Sequence, residues 1–400
     1  MLSKKQSNKL PPVQFLGIVT GVVLVITLTG VAIARRNNSP SEETTLANKQ
    51  ERGNVKVETL PPPLALSSEA VQISPTTGSS SAVQVEQDNL QLAYNVPSSQ
   101  NFNESKKLQA IVNELVQTAA DKKLPTKPLS ITLINTKTSE YGAYQQEKLR
   151  FPASVVKTFW LVYFYEKVQK GLLNEASFVT YINKMIKESD NNSASVIVDA
   201  ITETQSGSDL TGEEYENWLN QRKQVNKYFQ RAGYENINVN QKTFPITNIK
   251  LFEPKGADLK MRGNPEKPIR NKLSAKQTAR LLYEIYSNQA VSVEQSQRMA
   301  NLLTIDPQTR LTKKDDQDTE HFNPVRGFLS ESLPSNIYFG AKAGWTSFTR
   351  NEAAYIATPD GKVGYILVVF GEDKAYAYDW KIFPKMSKMV YEKMTKATAK

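Results

Sequence analysis

Phe151-Pro152-Ala153-Ser154-Val155-Val156-Lys157 is the stretch on which the reading of this 400-residue chain turns. Pro152 ahead of a strongly helical run places Ser154 at the opening of a helix. Three residues make about one helical turn, so the Lys157 ammonium can lie beside the Ser154 hydroxyl. A lysine kept neutral by burial or by cationic neighbours could take the serine's proton. The helix start also offers N–H groups and positive potential to a developing oxyanion. No other S-x-x-K occurs in the chain. On its own the pattern also fits an ordinary helix start, with Ser capping and Lys solvated.

Composition narrows the chemistry from the other side. The chain has no Cys and a single His, His321. A Cys nucleophile, a disulfide framework and a Cys-based zinc site are therefore excluded, and one His cannot build a His-rich metal cage. Covalent chemistry is left to Ser, Thr, Lys and carboxylates, with no metal and no cofactor called for. His321, in the Asp315–His321 segment, reads as a solvated loop residue.

Charge and hydropathy divide the chain into four segments: 1–14, 15–34, 35–102 and 103–400. Phe15–Ala34 is a run of 20 uncharged residues rich in Val, Ile, Leu and Gly, with Lys4, Lys5 and Lys9 before it and Arg35 and Arg36 after. A helix of that length is ~30 Å long, the thickness of a bilayer core. Residues 15–34 are therefore expected to be a retained transmembrane anchor. The run exceeds the ~7–15 residues of a signal-peptide core, although Ala32-Ile33-Ala34 resembles a cleavage site. The positive-inside rule puts 1–14 in the cytoplasm and everything after the anchor outside the cell membrane. Residues 35–102, punctuated by Pro61-Pro62-Pro63 and Gly78-Ser79-Ser80-Ser81, read as a disordered spacer too poor in large apolar residues to offset its ordering entropy.

From about residue 103 the texture changes. Leu108, Ile111, Val112, Leu115 and Val116 recur at helical spacing. Ser130–Asn135 reads as a strand, with a shorter one near Tyr141–Tyr144, and helical patterns fill 154 to about 305. Strands return at Ile337–Ala341, Ala353–Ala357 and Val363–Phe370, the last two joined by a turn at Pro359-Asp360-Gly361. A helix from about Tyr376 closes the chain. The expected architecture is one α/β sandwich, early and late strands sharing a sheet with helices on its faces.

Two further motifs join the first. Ser189-Asp190-Asn191 follows Lys157 by 32 residues, between two helical runs, and precedes a small-residue helix. Lys342-Ala343-Gly344 sits on a late strand, after Tyr338-Phe339-Gly340-Ala341. In this order and setting the three resemble the active-site set of the penicillin-recognising serine hydrolases, S-x-x-K, S-D-N and K-T-G. The arrangement is similar to that of class A β-lactamases and covers about residues 103–400. The resemblance implies a β-lactamase-like three-layer sandwich, with an antiparallel sheet flanked by helices and a helical lobe.

It also implies roles. Ser154 would be the acylated nucleophile and Lys157 its partner in proton transfer. Ser189 would pass a proton to the leaving nitrogen, and Asn191 would hold the substrate's amide, with Asp190 structural. Lys342 would bring positive charge near Ser189 and the substrate carboxylate. The N–H groups of Ser154 and Trp345, the latter just past Gly344, would form the oxyanion hole. Arg350 is a further candidate anchor for the carboxylate.

Two departures bear on function. Ala343 stands where the family carries Thr or Ser, a hydroxyl that Thr346 or Ser347 would have to supply. Class A enzymes also carry a deacylating Glu in an E-P-x-L-N context. Glu253, in Phe252-Glu253-Pro254, is the leading candidate for it, and Glu216, in Glu216-Asn217-Trp218-Leu219-Asn220, the second. With such a base the protein would hydrolyse β-lactams through an acyl-enzyme on Ser154, which is the first expectation. Without one it would be a D-Ala-D-Ala peptidase or penicillin-binding protein, or a non-catalytic wall-binding sensor. The expected ligand is a β-lactam or a peptidoglycan peptide. Nucleic acid is not an expected partner, because export topology and the lack of an aromatic-basic motif argue against it. The sequence leaves the oligomeric state open.

Overall fold

The computed structural model describes Tyr94 and residues 101–207, 209–316 and 322–396. The apolar run 15–34 with its flanks, nearly all of the spacer and His321 lie outside the described residues. Among the described residues no helix is long and apolar enough to cross a membrane.

In chain order the elements are β1 (Asn103–Glu104), α1 (Lys106–Asp121), β2 (Leu129–Asn135), β3 (Glu140–Tyr144), α2 (Lys157–Gln169), α3 (Val179–Asn183), α4 (Asn191–Thr202) and α5 (Gly212–Arg222). There follow α6 (Gln224–Gln230), α7 (Gly256–Arg262), α8 (Ala275–Tyr286), α9 (Val293–Leu303), α10 (Pro307–Lys313), β4 (Tyr338–Thr346), β5 (Thr349–Ala357), β6 (Gly364–Gly371), α11 (Lys374–Tyr378) and α12 (Ile382–Lys396). The sheet runs β1-β3-β2-β6-β5-β4, so the early strands meet the late ones where β2 pairs with β6. Every pairing is antiparallel except that of the short β1 with β3.

Strand β6 explains the layering. All eight of its residues, Gly364-Tyr-Ile-Leu-Val-Val-Phe-Gly371, are buried, as in a strand covered on both faces. Its even-numbered side chains Ile366, Val368 and Phe370 join a core built with α2, α4, α6, α8 and α9. The odd-numbered Tyr365, Leu367 and Val369 join a second core with α1 and α12. Three layers result, with the sheet in the middle.

Several boundaries differ from the sequence reading. β4 runs on to Thr346, because it closes with β5 in a tight hairpin in which Thr346 pairs with Thr349. The single closing helix is two, α11 and α12, separated at Asp379, which caps the second through Lys381 and Ile382 N–H. The core also takes in Tyr94 and, at its margin, Phe102, both from the stretch read as spacer. Tyr94 is buried in an aromatic nest, its ring centroid 5.4 Å from Tyr228, 5.6 Å from Phe229 and 6.0 Å from Tyr234.

Candidate active site

Eleven of the thirteen residues of α2 are buried, from Lys157 through Lys167, so this helix is enclosed on all sides and carries a lysine into the core at its first turn. Ahead of it, Ala153–Val156 form a single 3-10 turn. Ala153 enters it at φ +48°, a left-handed conformation that is strained for a residue with a Cβ. That bend leaves Ser154 half-buried between the buried Ala153 and Val155. Two contacts fix the approach: Asn351 Nδ2 donates to Phe151 O (2.9 Å), and Phe151 N donates to Glu372 Oε1 (3.0 Å).

The second motif arrives on a turn of π-helix, Lys184–Glu188, that ends at Ser189, also left-handed at φ 57°. Asp190 then caps α4 by accepting from Ser193 N at 2.6 Å. Burial raises the Asp190 carboxyl, but hydrogen bonds from Ser193 and Asn192 outweigh it and hold the group below its ordinary range. Lys157 Nζ donates to Ser189 O (2.5 Å) and Asn191 Oδ1 (2.9 Å), with Ser189 Oγ at 3.5 Å. The third motif completes the group, since Lys342 Nζ donates to Ser189 Oγ at 3.0 Å. Ser189 thus lies between two lysines.

Neither lysine has its ordinary basicity. Burial, and then the positive charge of Lys342, push Lys157 well below the usual lysine value, against a small opposing pull from Asp190. Burial pushes Lys342 down to about 7, with Glu352 pulling the other way. Lowering the basicity of a buried amine enlarges its neutral fraction, the form that can accept a proton.

Gly344 brings β4 against the serine turn. A Cβ built there would stand 2.8 Å from both Pro152 O and Ser154 N, and 3.1 Å from Ala153 Cβ. Ile305 N donates to Phe339 O on the strand's outer edge, so odd-numbered residues of β4 turn their backbone groups away from β5. By the same alternation Trp345, one residue past Gly344, turns its N–H to that outer edge. Its side chain goes the other way, with Nε1 donating to Ala377 O at 2.8 Å. Thr346 stands at the end of the strand, half-buried, its Oγ1 accepting from Phe348 N at 3.4 Å.

Three candidates from the sequence reading do not join this group. Arg350 is fully buried on the opposite face of the sheet, where it donates to the carbonyls of Tyr376, Gly327 and Ala377 and packs on Trp380 at 4.1 Å. Strand parity turns it away from the cleft, so it is a tie between β5 and the segments around it, not a carboxylate anchor. Glu253 has an exposed side chain whose electrostatic neighbour is Arg262, and it makes no hydrogen bond to the Lys157–Ser189–Lys342 group. Glu216 is exposed on α5. Ala343 is buried in the far-face core.

Two features escaped the motif reading. Glu352, cross-strand from Ala343, is a fully buried acid pushed up to about 8 by burial despite an N–H from Leu329 at 2.6 Å. The other is the path of residues 242–248. Lys242 Nζ donates to Ser195 Oγ (2.8 Å) and Asp199 Oδ2 (2.5 Å), while Asn192 Nδ2 donates to Thr247 Oγ1 (3.0 Å) and Asn192 Oδ1 accepts from Asn248 N (3.1 Å). Asn192, Ser195 and Asp199 share one side of α4. The segment therefore runs along that helix toward the end where Asn191 meets Lys157. It reads Phe244-Pro245-Ile246-Thr247-Asn248. It keeps the Pro and Asn of E-P-x-L-N and carries Phe in place of Glu, a signal visible in the sequence as Phe-Pro-x-x-Asn.

Comparison with known proteins places this geometry. A family model described as the beta-lactamase enzyme family matches residues 106–394. Among curated proteins no match is found. Of solved structures, a variant of PBP-A in an acyl-enzyme complex with penicillin G aligns at a TM-score of 0.50 and 16% identity, over 75% of this chain and 99% of that one. A beta-lactamase from Sphaerobacter thermophilus aligns at 0.49 and 16%, over 72% and 97%. One from Chitinophaga pinensis aligns at 0.48 and 15%, over 72% and 99%. At 16% identity the likeness to the PBP-A variant is one of fold.

Proposed function

The chain belongs to the beta-lactamase enzyme family, and on that premise we propose that it is a penicillin-binding serine acyl-enzyme former whose acyl group is released slowly. One observation carries the reading: Lys157, depressed in basicity by burial, is linked through Ser189 to Lys342, one helical turn from Ser154. Neutral Lys157 takes the Ser154 hydroxyl proton as Oγ attacks the carbonyl of a β-lactam or a D-Ala-D-Ala peptide. The carbonyl oxygen becomes an oxyanion between the N–H groups of Ser154 and Trp345. The C–N bond then breaks, and the proton held on Lys157 reaches the leaving nitrogen through Ser189 Oγ. Asn191, whose Oδ1 is engaged by Lys157, keeps its NH₂ for the substrate's amide carbonyl. Lys342 orients Ser189 and supplies the charge that draws the substrate's carboxylate.

The second half of a lactamase cycle needs a carboxylate to activate water on the acyl-enzyme. Glu253 points to solvent, and Phe244 occupies the E-P-x-L-N-like position on the segment that lines α4. This arrangement favours acylation without efficient release. The reading also keeps the N-terminal run 15–34 as a membrane anchor that holds residues 103–400 outside the cell, where such substrates lie.

The test is labelling with a fluorescent penicillin. The expected result is one label per chain, lost in Ser154→Ala. Equal labelling of Ser154→Ala would overturn the reading.

A further inference from the structure

Among the described residues, most of the exposed aromatic side chains lie at the tip of the β4–β5 hairpin and beside it. Among the described residues six aromatic side chains are exposed, and four of them, Trp345, Phe348, Tyr378 and Trp380, gather at this tip and the α11–α12 junction beside it. Exposed Leu, Ile and Val side chains lie elsewhere on the chain, from Leu149 to Leu311. Trp345 is 37% exposed, Trp380 40% and Tyr378 58%. The three rings form a connected group, Trp345 lying 6.4 Å from Trp380 and 6.5 Å from Tyr378. Phe348 flanks the other side of the hairpin and stacks on Phe151 at 5.6 Å.

These rings are held in place. The Trp345 indole is fixed by its bond to Ala377 O, and Trp380 lies against the buried Arg350 guanidinium at 4.1 Å. Around them the rim is polar, with Arg326 over Trp380 at 5.5 Å and Asp379 bridged to Lys122 at 2.7 Å. Rigid rings with a polar rim suit the C–H faces and hydroxyls of a sugar.

Trp345 joins this platform to the cleft. It follows Gly344, which packs on the Ser154 turn, while its indole belongs to the platform on the opposite face of the strand. A substrate laid along β4 with its acyl carbonyl at Ser154 has its next segment at the hairpin tip. We infer that Trp345, Tyr378 and Trp380 form a glycan subsite, and that the substrate is a cell-wall peptide still attached to its aminosugar strand. This rests on the acyl-enzyme reading above and names the substrate's form.

The experiment uses the full chain and two readouts, binding of a soluble β-1,4-linked N-acetylglucosamine hexamer and labelling by fluorescent penicillin. Trp160 and Trp218 are buried, so a sugar-dependent change in tryptophan emission reports on Trp345 and Trp380. The expected result is saturable binding weakened about tenfold in Tyr378→Ala and in Trp380→Ala, with penicillin labelling unchanged. Tyr378 is mostly exposed, so its variant keeps the test valid if loss of Trp380 disturbs folding. Absence of sugar binding with labelling intact overturns the subsite and leaves the acyl-enzyme reading standing. Sugar binding without labelling overturns the acyl-enzyme reading, and with it the claim that the sugar belongs to a substrate. Binding of phosphatidylglycerol vesicles lost in Tyr378→Ala, with the hexamer inert, assigns the platform to a membrane surface and also overturns the subsite.

Discussion

Replacing Gly344 with Ala tests the junction on which the proposed acylation depends. The added Cβ would stand 2.8 Å from Pro152 O and from Ser154 N, and both are backbone atoms that cannot swing aside. Comfortable non-bonded separations begin near ~3.5 Å, so β4 and the serine turn must part by more than about half an ångström. That is enough to spoil an oxyanion hole built from one donor on each side, and loss of one such donor costs about 10²–10³ in rate. Overpacking of this size costs roughly 1–3 kcal/mol of stability, which a sheet of this extent withstands. The assay is the second-order rate of labelling by a fluorescent penicillin, with a thermal melt alongside. The expected result is a drop of about 10²–10³ in a folded protein. A folded variant that labels within threefold of the parent would refute the idea that this contact sets the oxyanion site.

Lys157→Met should slow labelling by about 10²–10⁴, the usual worth of a general base, with a melting temperature no lower than the parent's, because a buried amine gives way to an apolar chain. Lys342, pushed down to about 7, gives a pH signature. Between about pH 7 and the ordinary lysine range the unfolded chain holds a proton that the folded one has released, so this group makes stability rise with pH there. Melts of the parent and of Lys342→Gln at several pH values should show that slope flattened in the variant. Labelling should also decline above about pH 7 as the Lys342 charge is lost. Phe244→Glu should speed release of the acyl group by at least about tenfold, followed by decay of the label, and an unchanged decay rate would contradict the path assigned to residues 242–248. Arg350→Met should lower stability by roughly 2–4 kcal/mol in a denaturant melt, since three carbonyl partners are stranded, while the folded fraction still labels at the parent's rate.

The residues that meet at Ser189 were legible because each motif depends on local geometry. A serine three residues before a lysine at a helix start needs one turn to act. Ser-Asp-Asn carries its own cap, as Asp190 shows on α4. Arg350 was misread because its direction depends on the register and parity of β5, which a one-residue change would invert and which no local pattern states. Glu253 drew attention as a Glu-Pro pair, but loop position is decided elsewhere, by Lys242 reaching Asp199 and by Asn192 gripping Thr247 and Asn248. Tyr94 was invisible for a related reason. A lone aromatic in a polar stretch gives no periodicity, and its burial is set by Tyr228, Phe229 and Tyr234, all more than 130 residues further along the chain. Glu352 looked like any charged strand residue until the far-face core closed over it.

The most direct test of the central claim follows the intact mass of the protein over time after a brief excess of penicillin. A gain of one penicillin mass is expected, mapped to the peptide bearing Ser154 and persisting long after free drug is removed. A protein that returns to its starting mass within seconds while hydrolysing the drug, or an adduct at any other residue, would contradict it.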